Sequence, residues 1–429
     1  MRALIFRPCL TVITTCLIGL LAGEQAHAQD WSRFRGPDGQ GVGQVDNLPD
    51  SWTEANYNWK VELPAAGHSS PVLWQGRIYL AGGNDKTGER SFMCLNAEDG
   101  SLLWSKTYAS QTYKMHAFNS YGSGTAAVDD AGVYFCWTTP EQFTAVCLTH
   151  DGEERWKRNL GPYVTQHGGG ISPIVHSGRV LVFVDTDREG GSGSFLTALD
   201  SKSGETIWKT THESSLANYS VPLIYQPKPD QPPQIVLNSM GQGITSYDLE
   251  DGKQLWGLKT VAGEPLLDLR SVSSPYVAGE LVIASCGTGG GGSSLVAVKP
   301  PASPGETAEM AYRITRAVPY VPTTVAKNGM LFSFTDRGLA TCLDVASGEL
   351  HWRQRLGGRF FCSPICSDNR ILCISTSGEV IVLAADKEFK ELARNDLGET
   401  CHATPAISGG RLYIRTVRHL YSLGGTPNQ

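Results

Sequence analysis

The stretch Ala198-Leu199-Asp200-Ser201-Lys202-Ser203-Gly204-Glu205-Thr206-Ile207-Trp208 decides the fold class. An apolar run ends in a turn that contains Gly204, and a tryptophan follows four residues later. The same phrase recurs at Gly100…Trp104, Gly152…Trp156, Gly252…Trp256 and Gly348…Trp352. Successive tryptophans stand 52, 52 and 48 residues apart, then 96 across a degenerate unit. Asp-Gly at 99–100, 151–152 and 251–252 and Ser-Gly at 203–204 and 347–348 suit tight hairpin turns, because glycine accepts positive φ. Asp200, Asp248 and Asp344, four residues before the glycine, are placed to bond the backbone of their own turns. The tryptophan falls on the next strand and is large enough to bridge two packed sheets.

Upstream of each turn lie two further β-rich runs, as in Ser70-Pro71-Val72-Leu73-Trp74-Gln75-Gly76-Arg77-Ile78-Tyr79-Leu80. Three strands and the Trp strand make a four-stranded antiparallel blade, and a repeat of roughly 40–50 residues fits a propeller. The inner-strand phrase occurs around Pro71, Thr125, Pro173, Pro222, Pro275, Pro322, Pro364 and Pro405, which gives eight units. The expectation is an all-β, eight-bladed β-propeller over residues 56–424. Two units lack the tryptophan: the fifth ends in Tyr312, and the seventh, through Val380–Leu392, has no turn glycine either. The eighth stops at Leu423, one strand short. Asn58-Trp59-Lys60-Val61-Glu62-Leu63 reads like Leu350-His351-Trp352-Arg353-Gln354-Arg355-Leu356, so the N-terminal strand is expected to complete the last blade. That closure removes free sheet edges and leaves a monomer as the expected state. The Trp-Asp strand ends and Gly-His openings of WD40 repeats are absent, as are Kelch signatures.

The chain begins with Arg2 and Arg7, an apolar stretch from Leu10 to Ala22, and Ala26-His27-Ala28. This is the layout of a cleaved export signal over residues 1–28. The apolar stretch is shorter than the roughly 20 residues a membrane span requires, and Ile13-Thr14-Thr15-Cys16 is a poor lipidation site. The remainder is expected as an extended segment over 29–55, the propeller, and a disordered tail over 425–429, exported to the periplasm or cell envelope with no membrane span. The formal net charge is −6, and losing Arg2, Arg7 and Glu24 makes it one unit more negative. With no basic run to offset that charge, nucleic acid is excluded as a partner.

The Ala/Ser-x-Asp-x-x-x-Gly-x-x-x-Trp phrase resembles the tryptophan-docking repeat of the pyrroloquinoline-quinone (PQQ) propeller superfamily. That superfamily includes the quinoprotein alcohol dehydrogenases and the propeller lipoprotein of the outer-membrane β-barrel assembly machinery. Trp31-Ser32-Arg33-Phe34-Arg35-Gly36-Pro37-Asp38-Gly39-Gln40-Gly41 further resembles the entry of an exported PQQ-like repeat family. The resemblance to the dehydrogenases implies a quinone held with calcium and oxidation of an alcohol or sugar. Those enzymes carry a vicinal Cys-Cys pair, which this chain lacks, and their calcium ligands and Asp base find no match in it. The expected function is therefore a non-catalytic binding or scaffold propeller that engages a protein partner or envelope ligand, with no cofactor and no metal. A PQQ-dependent dehydrogenase or related oxidoreductase is the alternative.

Nine cysteines follow residue 28. Cys94, Cys147 and Cys342 stand where other blades carry Ala198, Ser246 and Ala297, a position that wants a small side chain in a tight strand. Cys286, Cys362, Cys366 and Cys373 also fall in expected strands. They read as buried free thiols, and no Cys-x-x-Cys spacing suggests zinc.

The residues just before the inner strands are the candidate site, because a propeller gathers those loops around its axis. They include Gly67-His68-Ser69, Met115–Tyr121, Gln166-His167-Gly168-Gly169, Asn218-Tyr219, Leu269-Arg270-Ser271, Pro319-Tyr320, Arg359-Phe360 and Cys401-His402-Ala403. Four of the ten histidines share this position. His68, His116, Asn119, His167 and His402, with Tyr219 and Arg270 on the rim, are the candidate ligand- or partner-binding residues. Clustered histidines would make affinity change between about pH 5 and 8. The competing reading is that these groups bond the strand starts and fill a wet channel. Asp185-Thr186-Asp187-Arg188-Glu189-Gly190-Gly191-Ser192-Gly193 reads as a solvated acidic hairpin loop, and Gly287–Ser293 as a flexible one. No nucleophile elbow or catalytic triad stands out.

Overall fold

A computed structural model describes residues 30–187, 193–289, 291–303 and 305–425. The expected export signal, most of the expected tail and the middle of the 185–193 loop lie outside them. Eight four-stranded antiparallel blades surround one axis, and the first seven run from inner to outer strand in chain order. Blade 1 comprises Val72–Trp74, Arg77–Gly83, Arg90–Asn96 and Leu102–Tyr108. Blade 5, without its tryptophan, has the same four strands, from Tyr276–Ala278 to Glu309–Ile314. Blade 8 supplies Ala406–Ser408, Arg411–Arg415 and His419–Gly424. Its outer strand is Tyr57–Glu62, antiparallel to His419–Gly424 with Trp59 opposite Ser422. The N-terminal strand thus closes the ring as the sequence predicts.

Four of the five repeat tryptophans dock on the blade that follows their own, while Trp256 Nε1 donates to Gln234 Oε1 of its own blade at 2.8 Å. Trp104 Nε1 donates to His150 O at 2.7 Å, Trp156 to Ser201 O at 3.0 Å and Trp208 to Leu249 O at 3.1 Å. Trp59 does the same from blade 8 to blade 1, reaching Ala97 O at 3.3 Å. Tyr312 stands in for tryptophan in blade 5, its hydroxyl donating to Val345 O at 2.9 Å. The indoles of Trp59, Trp104, Trp156 and Trp208 cover the next blade's turn glycine. A Cβ at Gly152 would come within 2.7 Å of Trp104, and one at Gly204 within 2.5 Å of Trp156. Glycine is required there twice over, by positive φ and by the neighbour's ring. Within each turn the aspartate behaves as expected: Asp200 Oδ1 accepts from the backbone N–H of Lys202 and Ser203.

Around the axis a second repeat operates. The Ser70 N–H donates to Thr125 Oγ1, Thr125 to Ser172 Oγ, Val221 to Ser274 Oγ and Ser274 to Thr323 Oγ1. Thr323 continues to Ser363 Oγ, Ser363 to Thr404 Oγ1 and Thr404 back to Ser70 Oγ. All seven bonds are 2.8–3.1 Å and buried. Only the junction of blades 3 and 4, where Val221 replaces the hydroxyl residue, lacks this bond.

The expected extended segment is a strap across the ring. Trp31 exchanges two 3.0 Å backbone bonds with Leu73 of blade 1, and Ser32 O accepts from Val128 N–H of blade 2. Arg33 Nη1 donates to Pro222 O at 2.9 Å. Buried Arg35 reaches Pro364 O and Thr324 O, both at 2.8 Å. Val42–Gly43 then adds to blade 7 as a parallel fifth strand, and Asp46 N–H donates to Gly410 O of blade 8. The Trp-x-x-Phe-Arg-Gly-Pro phrase is therefore a set of cross-ring bonds.

Trp59 and Trp352 are both partly buried and dock equivalently. Trp59→Ala and Trp352→Ala should each cost about 3 kcal/mol in denaturant unfolding, the lower end for truncating a large aromatic. Deleting residues 30–64 should leave blade 8 three-stranded and give aggregates on size-exclusion chromatography; a folded monomer of unchanged Tm would refute ring closure by this strand.

Candidate functional site

The loops that lead into the inner strands surround a cavity of about 1220 Å³, with Phe34 of the strap on its wall. His68, His116, Asn119, His167, Tyr219 and His402 all line this one cup, as do Tyr320, Arg359 and Phe361. Arg270 does not. The eight lead-ins share one structural position, which is why residues more than 300 positions apart meet here.

The histidines form two pairs. His68 and His402, from blades 1 and 8, stack with ring centroids 4.4 Å apart, and His116 and His167 meet edge-on at 5.2 Å. Phe118, on the connection between blades 1 and 2, is 44% exposed. It reaches across the mouth to Phe361 at 5.1 Å and His402 at 6.2 Å, with the Arg359 guanidinium over its ring. In the Arg359-Phe360 lead-in, Phe360 is buried in the core and its neighbour Phe361 faces the cup.

Three of the candidates hold the loops together, two of them from the cup wall. Asn119 donates to His167 O at 2.7 Å and Gly169 O at 2.9 Å, while its Oδ1 accepts from Ser120 N–H and Ser123 Oγ. The Tyr219 hydroxyl donates to Gly168 O at 3.0 Å. Arg270, expected on the rim, is buried behind Tyr219, donates to Ala217 O and pairs with Asp187 at 3.0 Å. Asp187 corrects a second expectation. The 185–193 loop was read as solvated, yet the Asp187 side chain is 7% exposed and accepts from Arg270, Ala217 N–H and Gln166 N–H. One carboxylate thus ties together the lead-ins of blades 3, 4 and 5. Asp185 is also buried, bonded to His212 and to Ser239 Oγ. The Gly- and Ser-rich sequence around both residues hid this, because composition does not show which way an acidic side chain turns.

Burial controls the charge of the wall. Desolvation, with the charges of His402 and Arg415 beside it, pushes His68 down to about 3. Desolvation also lowers His167 and His402. These three rings are neutral at pH 7, so the expected affinity switch between pH 5 and 8 finds no cation among them. His68 Nδ1 and His402 Nδ1 are buried and have no hydrogen-bond partner. Among the described residues, Asp336 is the one carboxylate on the cup wall. Its oxygens accept from Tyr320 N–H at 2.8 Å and Val321 N–H at 3.1 Å. Among the described residues no three His, Cys, Asp or Glu side chains converge in a metal-binding group, and no tryptophan lines the cup.

This geometry is that of a PQQ-type β-propeller. A family profile described as outer membrane protein assembly factor BamB matches residues 141–303 and 313–416. That is more than half of the chain, and the protein belongs to this family. The structure of BamB from Moraxella catarrhalis superposes with a TM-score of 0.61 at 13% identity, over 86% of this chain and 98% of that one. The quinohemoprotein alcohol dehydrogenase ADHIIG from Pseudomonas putida HK5 superposes at 0.62, also at 13% identity, over 93% of this chain and 81% of that one. The computationally designed Ika8 protein does so at 0.55 and 10% identity, over 85% and 98%. At these identities the likenesses show the fold. No curated protein matches the sequence.

A histidine held neutral by the fold disfavours the folded state once the unfolded chain can protonate it. His68 binds its proton only near pH 3, whereas an unfolded histidine does so near 6.5. Its contribution to stability is therefore complete above pH 6.5 and is lost as pH falls toward 3. Between pH 7 and 5 the wild type should lose about 2 kcal/mol more than His68→Gln, measured by denaturant unfolding at both pH values. Equal losses would show that His68 is not desolvated.

Proposed function

We propose that this protein is an exported, non-catalytic binding propeller of the periplasm or cell envelope that receives a segment of a partner protein in its cup. The observation that carries the reading is the wall itself: two histidine pairs, an exposed phenylalanine across the mouth, and buried imidazole nitrogens with no partner. Flat, hydrogen-bonding rings beside aromatic ones suit a polypeptide backbone and its apolar side chains. Membership of a family described as an assembly factor supports a protein as the partner. Export rests on residues 1–28, and no helix among the described residues is long and apolar enough to cross a membrane.

The quinohemoprotein neighbours motivate the alternative of a PQQ enzyme. The wall chemistry argues against it. Calcium needs several oxygen ligands, and among the described residues the cup offers one carboxylate, whose two oxygens already accept backbone N–H groups.

Peptides selected from a displayed library on the immobilised protein test the reading. Phe118→Ala and the double variant His116→Ala/His167→Ala should weaken the selected peptides at least 10-fold by calorimetry, with stability within about 1 kcal/mol of wild type, as for exposed positions. Selected peptides that bind both variants unchanged place recognition elsewhere. In parallel, PQQ with calcium should give no saturable binding and no dye-linked oxidation of primary alcohols or aldoses; a calcium-dependent activity would overturn the binding-only reading.

A further inference from the structure

We infer that Cys362 and Cys401 form a disulfide site that staples blade 7 to blade 8. Cys362 stands directly before Ser363, on the lead-in to the inner strand Ile365–Ser367. Cys401 stands three residues before Thr404, on the lead-in to Ala406–Ser408. Their sulfurs are 3.7 Å apart, in van der Waals contact, and both residues are fully buried in the same hydrophobic cluster. A disulfide bond is about 2.05 Å long, so the two sulfurs must approach by roughly 1.7 Å to bond. The bond would run beside the hydrogen bond from Ser363 N–H to Thr404 Oγ1, which already fixes these two lead-ins against each other at 2.9 Å. Cys373 is the third thiol nearby, but it packs in the adjacent core cluster with Cys366 and Cys342.

The chemistry is thiol–disulfide exchange. One thiolate attacks a disulfide donor and releases one donor thiol, leaving a mixed disulfide on the protein. The second thiolate attacks that sulfur and releases the other donor thiol. Two electrons pass to the donor and one sulfur–sulfur bond is gained by the chain. Burial raises the Cys362 thiol well above its ordinary range, so the reduced, closed ring reacts slowly. The bond forms most readily while blade 8 is still open. Cys401 adjoins His402 and Cys362 adjoins Phe361, so the crosslink would also fix the part of the cup wall that Phe118 touches.

Occurrence in the cell rests on the export reading, because such bonds persist in oxidising compartments. The pairing itself can be tested without that premise. The full chain is refolded from denaturant with a reduced and oxidised glutathione mixture, alkylated in denaturant, and mapped by peptide mass spectrometry. We expect one crosslinked peptide pair, Cys362 with Cys401, and alkylation at every other cysteine. Tm should fall by about 5 °C when reductant is added, from the loss of a closed loop in a chain of this size. Cys373→Ser should keep the crosslink, and Cys362→Ser and Cys401→Ser should each abolish it. Complete alkylation of wild type after oxidative refolding, or a crosslink between any other pair, would overturn the assignment. A crosslink that forms in vitro but is missing from protein isolated from cells would leave the pairing intact and count against export.

Discussion

At the axis of the ring, the leading backbone N–H of an inner strand has no partner within its own sheet. Buried and unpaired, such a group costs about 1–3 kcal/mol. Seven blades meet the cost in the same way, by donating to a serine or threonine hydroxyl on the neighbouring blade. Each bond fixes the distance and phase between adjacent blades where they are narrowest. The cup exists because of this. Side chains one to several residues before the hydroxyl are all delivered to the same end of the channel, whatever their separation in sequence.

The outer part of each blade is governed by a different contact with the same logic. In four of the junctions the tryptophan of one blade and the turn glycine of the next form one unit, since Trp59, Trp104, Trp156 and Trp208 cover the place a Cβ would take at Gly100, Gly152, Gly204 and Gly252. This explains the tolerance of the fifth unit. Tyr312 supplies both a flat face for Gly348 and a hydroxyl for Val345 O. In the seventh unit neither partner is present. Trp352 there meets Asp386 O and Phe389 instead, and the strap adds a fifth strand to that blade. The weakest repeat receives the most support from outside itself.

Much of this was legible in the sequence, because periodicity reports geometry that every blade shares. The blade count, the role of Trp59 and the common placement of His68, His116, His167 and His402 follow from position within a repeat. What was not legible depends on depth and direction. Nothing in the order of residues says that His68 lies beside buried Arg415, so the pH range drawn from free histidine did not transfer. Asn119, Tyr219 and Arg270 resemble ligand groups by type, yet their polar atoms are engaged by backbone carbonyls and by Asp187. The strap was missed for a related reason. Its bonds run from Arg33 and Arg35 to carbonyls 189 to 329 positions away, and no local pattern marks such partners.

The strap and the closing strand are the first described parts of the chain to be made, and the edge that receives Tyr57–Glu62 is among the last. At a synthesis rate of roughly 5–20 residues per second, the interval is on the order of 20–70 seconds. Throughout it, a strand with alternating half-buried and exposed residues has no sheet to join, which is the state in which unpaired strands recruit one another. An architecture that completes its last blade with its first strand therefore concentrates its vulnerability in time: closure needs both ends of the chain, and whatever shields Trp31 to Glu62 until then acts on the unclosed chain and not on the finished ring.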